Sequence, residues 1–154
     1  MKRFSKLVLG VTLLEILLVL AVAAMIIVMS VRYYQSATAN QQVNATLEQI
    51  QAITATADGI AQGNNSYSTV STTQVQPMMP QGKMTTVWGS TITVTGGAVS
   101  SYDVTIKTVP QNVCSQIVPK LKANPKFTKI SPATGGACGT TSPSDITYTY
   151  NSAA

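Results

Sequence analysis

Val11-Thr12-Leu13-Leu14-Glu15-Ile16-Leu17-Leu18-Val19-Leu20-Ala21-Val22-Ala23-Ala24-Met25-Ile26-Ile27-Val28-Met29 is an apolar run interrupted by one charge, Glu15. About 20 such residues span a bilayer as a helix. An acid at the bilayer centre costs about 2.5–3.5 kcal/mol on insertion scales, so a retained one marks function. The run is apolar on every face, unlike the core helix of a soluble domain, which carries one stripe. Before it lies Met1–Gly10, a short leader with Lys2, Arg3 and Lys6 that ends in glycine. Two simpler readings compete. A secretory signal would use the A-x-A site at Ala21-Val22-Ala23, but it would carry an acid in its apolar region and leave an apolar stub. A plain single-span anchor fits the length but explains neither Gly10 nor the position of Glu15.

The helical pattern continues past the apolar run. Val43, Leu47, Ile50, Ile53, Ala57, Ile60 and Ala61 keep 3.6-residue spacing, with Asn44, Gln49, Gln51 and Asp58 off the stripe. No proline occurs before Val75, and Gln62-Gly63-Asn64-Asn65 supplies a stop. The spacing predicts one helix over 11–62, about 75 Å long at 1.5 Å per residue. Its first half is apolar all round and its second half is amphipathic, with one face for a sheet. The alternative is two helices hinged near Ser36–Gln42, a polar stretch.

Residues 63–84 read as a surface loop, with Asn, Ser and Thr clusters followed by Pro77, Pro80 and Gly82. Thr91–Thr95 alternates and ends in Gly96-Gly97, and Tyr102–Val109 alternates into Pro110, which predicts a β-hairpin. Ile92, Val94, Val104 and Ile106 would share its helix-facing side. Trp88 reads as a core or edge anchor. After Pro110, Val113, Ile117 and Leu121 step by four, a short helix that Pro119 should end or kink. Asn124–Ser144 reads as irregular, and Ile146–Tyr150 as a returning last strand.

Composition excludes most enzyme classes. The chain of 154 residues has no histidine and five carboxylates, so the usual general bases and Ser-His-Asp or Cys-His sites are missing. No glycine-rich phosphate cradle follows a strand. No cofactor and no metal site are expected, since two cysteines without histidine or C-x-x-C spacing make no zinc set. The net charge of +5 falls to about +2 once Lys2, Arg3 and Lys6 are set aside, which gives no case for nucleic-acid binding. Lys120, Lys122, Lys126 and Lys129 form a local basic cluster, read as a solvated face. The leader positives place the N-terminus in the cytoplasm and all that follows about Met29 outside, with Arg32, Tyr33 and Tyr34 at the outer interface. In that oxidising compartment Cys114 and Cys138, 24 positions apart, are expected to pair. Such a bridge contributes about 3.5 kcal/mol in the chain-entropy model.

The junction Gly10-Val11-Thr12-Leu13-Leu14-Glu15 resembles that of type IV pilins and pseudopilins, where a basic leader ends in Gly and an acid follows at the fifth mature position. Trp88-Gly89-x-x-Ile92-Thr93-Val94-Thr95-Gly96-Gly97, with Val109-Pro110-Gln111-x-x-Cys114, is similar to conjugative thin-pilus subunits and other type IVb pilins, including the toxin-coregulated kind. Val11 in place of the more common Phe fits the type IVb branch. The resemblance implies an α+β pilin fold: a long N-terminal helix packed on a small antiparallel sheet with a C-terminal disulfide loop. It divides the chain into a leader (1–10), a helix (11–62, with 11–30 as the membrane and assembly half) and a head (63–154) with an αβ-loop (63–84) and a disulfide-bounded region (114–138).

The resemblance also implies prepilin-peptidase cleavage after Gly10 and methylation at Val11. Glu15 would be the assembly residue, and Cys114–Cys138 the bridge. Implied partners are further copies of the chain, the peptidase, inner-membrane lipid and the pilus assembly machinery. The implied function is structural, as a pilus subunit. Alternatives are a minor pilin, a type II secretion pseudopilin, or a membrane-tethered periplasmic binding module.

Overall fold

In the computed structural model, residues 5–131, 138 and 144–153 are described. The chain forms two units, one up to Thr38 and one over Ala39–Ala154. Helix α1 covers Ser5–Asn64 and so contributes to both. It ends two residues past the expected stop, within the usual fraying of helix ends. It also begins at Ser5, inside the segment expected to be a leader, where no proline interrupts propagation. The residues Ser36–Gln42 are helical and fall within this one element.

In the first unit, every described large apolar side chain of α1 is exposed, from Leu13 to Tyr34. The most apolar 18-residue window of the helix has a mean hydropathy of 2.8, enough to cross a membrane by length and composition.

In the second unit, α1 buries Ala39, Val43, Thr46, Ile50, Ile53, Ala57 and Ala61, in steps of three or four. Thr46 is tolerated in this stripe because its hydroxyl donates to Gln42 O at 2.8 Å. The stripe packs in one cluster with a four-stranded antiparallel sheet of order β1-β2-β4-β3. The strands are β1 (Ile92–Gly96), β2 (Ser101–Val109), β3 (Phe127–Ser131) and β4 (Ser144–Asn151). Ile92 pairs with Ile106 and Val94 with Val104, and all four are buried, as the alternation predicts. On the opposite sheet face polar residues bond across strands: Thr149 Oγ1 donates to Asp103 at 2.6 Å, and the Thr105 and Thr147 hydroxyls lie 3.0 Å apart. Gly96 permits a close approach, since a Cβ there would collide with the Ser68 backbone.

Three expectations need correction. The 63–84 segment is not a simple loop. It contains helix α2 (Thr72–Val75) and two 3₁₀ turns, and it buries Val70, Val75, Met79 and Met84. It also caps the β1 edge: the Thr72 hydroxyl accepts from Val94 N at 2.8 Å and donates to Val94 O at 3.1 Å. Covering an edge strand in this way blocks pairing with other chains. Helix α3 (Gln111–Lys122) runs through Pro119 instead of stopping, because the following turn carries Leu121 into the core and Ala123 N closes it on Pro119 O. Phe127–Ser131, within the stretch read as irregular, is strand β3; residues 132–137 and 139–143 of that stretch lie outside those described.

Two strands carry bulges. Thr108 takes a positive φ of 48°, which places Lys107 and Thr108 outward and returns Val109 to the core. The Thr108 N–H freed by the bulge donates to Asp145 at 2.8 Å. Lys129, also at φ 48°, interrupts β3 pairing between Thr128 and Ser131.

Candidate functional site

Gly10 and Val11 lie in the first turns of α1. Glu15 is four residues past Val11, so about one helical turn separates the two positions. Its carboxylate is exposed among apolar neighbours, with no hydrogen bond or ion pair to a described residue. From Val11 to Asn64 the sequence of the helix holds one cation, Arg32, 17 residues past Glu15 and about 25 Å away at 1.5 Å per residue. An uncompensated acid on an apolar surface is stable in lipid or in a packed assembly only if it is neutralised.

The two cysteines come together as expected. Cys114 and Cys138 are bonded, with Cα atoms 5.9 Å apart, and both are buried. The bridge ties the first turn of α3 to residue 138, ahead of β4. Trp88 is half-buried at the sheet edge, where its Nε1 donates to Lys107 O at 3.3 Å.

Sequence reading missed the polar anchor of the second unit. Asp58, at the margin of the apolar stripe, accepts from Tyr67 Oη at 2.8 Å and Tyr150 Oη at 3.4 Å. These rings belong to an aromatic cluster. Tyr102 stacks on Tyr150 with centroids 4.9 Å apart and on Tyr67 at 5.6 Å, while Phe127 meets Tyr148 edge-on at 4.9 Å. Burial raises the hydroxyl pKa of Tyr102 and Tyr148, and that of Tyr67 is raised by burial and by the Asp58 carboxylate. The hydroxyls of Tyr102 and Tyr148 are buried without a hydrogen-bond partner among the described residues. A local cue for Asp58 did exist, an acid beside a core stripe, but its partners stand 9 and 92 positions away.

Beside Asp58 runs a groove of about 460 Å³ between α1 and the α3–β3 turn, floored by Leu47, Ile50, Leu121 and Phe127 and rimmed by Lys120 and Lys126. Among the described residues, no group of three or more His, Cys, Asp or Glu side chains could hold a metal.

Residues 40–154 match the family model described as PilS N terminal, a type IV pilin family of the type IVb-like kind. The chain belongs to the PilS family of type IV pilins. The match starts beyond the 10–15 junction, so the junction and the head support pilin membership from separate residues. Comparison with curated proteins and with solved structures returned no match. PilS-family membership makes the chain a type IV pilin-like subunit, a structural rather than catalytic class whose members self-assemble. The apolar N-terminal helix is compatible with a membrane-anchored pilin.

Proposed function

We propose that this pilin is made as a prepilin, cleaved by prepilin peptidase after Gly10, N-methylated at Val11 and polymerised into a pilus through the first half of α1. Before assembly it crosses the inner membrane once with its N-terminus in the cytoplasm. After assembly it is extracellular, in the filament. The assembly machinery extracts it from lipid, and copies of the same chain replace lipid as the cover for Leu13–Tyr34. The domain division follows this life history: leader 1–10, assembly helix 11–30, and a head held by the amphipathic half of α1.

The observation that carries this reading is Glu15, an exposed acid in the apolar half of α1 with no ion-pair partner among the described residues. The new amino terminus of a neighbouring subunit supplies the missing cation. Pairing the two neutralises both and sets axial register, the use best attested for buried polar groups. Glu15→Ala should leave the head folded and disulfide-bonded yet abolish filaments seen by electron microscopy. Filaments of normal length and number from that variant would refute the assignment.

A further inference from the structure

The charges of the head are unevenly matched. From residue 39 onward it carries six lysines and four acids. All three aspartates are engaged within their own domain: Asp58 by two tyrosine hydroxyls, Asp103 by Thr149, and Asp145 by the Thr108 N–H. Glu48 is the exception. It is exposed on α1 and has no hydrogen bond or ion pair among the described residues.

The lysines show the converse. Lys120, Lys122, Lys126 and Lys129 fall within ten positions on the end of α3, in the turn that follows and on β3, all exposed, and no acid occurs anywhere from Gln111 to Ser131. Among the described residues none of the four pairs with an acid, and Lys126 Nζ lies over the Tyr150 ring, 5.9 Å from its centroid. Lys120 and Lys126 stand on the rim of the groove floored by apolar side chains. Leu47 and Gln51, which line the α1 wall of that groove, flank Glu48 in sequence, and a helical turn of 100° per residue carries Glu48 round to the open face beyond that wall.

One subunit thus presents an unpaired acid on one surface and an unpaired cationic rim around an apolar groove on another, and the two do not pair within the chain. Different patches that complement each other between identical copies make a heterologous contact, which repeats without closing and generates a filament.

We propose that the groove is a subunit–subunit docking site, in which Glu48 of one copy seats at the Lys120 and Lys126 rim of the next. The inference rests on the reading of the chain as a polymerising subunit. Apolar contact along the groove floor would supply area, and the charges would fix which face docks, since like charges placed together there are strongly unfavourable.

A charge swap tests it. Glu48→Lys should cut the yield of sheared filaments about tenfold or more, the loss that about 1.4 kcal/mol produces. Lys120→Glu with Lys126→Glu should do the same, and the three changes together should restore filaments. All the sites are exposed, so protease resistance of the head should stay at the wild-type level in each variant. Wild-type filament yield from Glu48→Lys would overturn the proposal. So would failure of the combined variant to recover, which would assign the lysine rim to some other anionic partner. Absence of filaments from the unaltered chain would overturn the subunit reading together with this one, so the two failures are distinguishable.

Discussion

The two halves of α1 share the same apolar residue types but differ in how these are patterned and in what surrounds them. Leu17 is 58 % exposed and Ile53 is fully buried. In the second half, apolar residues keep a stripe and polar ones take the remaining positions, so a sheet of this chain can cover the stripe. In the first half there is no stripe to cover. No single packed face could satisfy it, and its one acid has no partner among the described residues. The helix is thus partly a folding element and partly an association element, and the change falls near Thr38, where the chain divides into its two units.

The sharpest way to break this comparison is a matched pair of truncations. Ile53→Ala should destabilise the head by about 2–5 kcal/mol, the usual range for a buried Ile or Leu cut to Ala. Leu17→Ala should change head stability by no more than about 0.5 kcal/mol, as for surface positions, while lowering filament yield. Denaturant melts of the detergent-solubilised protein measure both. An equal effect on head stability from the two changes would end the distinction.

Removing the bridge comes next. Cys114→Ser with Cys138→Ser should cost about 2–5 kcal/mol in the same melt, with no effect on membrane insertion of the first half. Asp58→Ala should follow at about 1–3 kcal/mol, because two tyrosine hydroxyls lose their acceptor. Tyr148→Phe should move stability by about 1 kcal/mol or less, in the stabilising direction, since its buried hydroxyl has no partner to lose.

The tyrosines also set a pH limit. Their protons are held more tightly in the folded head than in the unfolded chain, where tyrosine titrates near 10. The unfolded state therefore releases protons first as pH rises. Stability is fully present at neutral pH and falls above about 10. A pH series of thermal melts should show this loss, and Tyr148→Phe should lessen it.

Much of the head was legible because its signals are local. The alternation at 91–95 and 102–109 gave the hairpin and its buried face, and the 3.6-residue spacing gave the stripe on α1. Cysteine count and compartment gave the bridge. What was missed lacked a local period. Strand β3 is five residues long, lies between Pro125 and Pro132, and is bent at Lys129, so its alternation is broken. Val70, Val75, Met79 and Met84 are buried from turns and a single-turn helix, at spacings that match neither helix nor strand. The Asp58 anchor joins side chains that only the folded topology brings together. Of the candidate site, the identity of Glu15 could be read directly, whereas the groove and its lysine rim needed α3 and β3 placed beside α1.

The central claim is that the first half of α1 is released from its leader for association with other copies. The most direct test is the amino-terminal mass of the protein recovered from sheared filaments and from membranes of its host. The account predicts a chain beginning at N-methylated Val11 in both. A chain that retains Met1 in the membrane and is missing from filaments would contradict it.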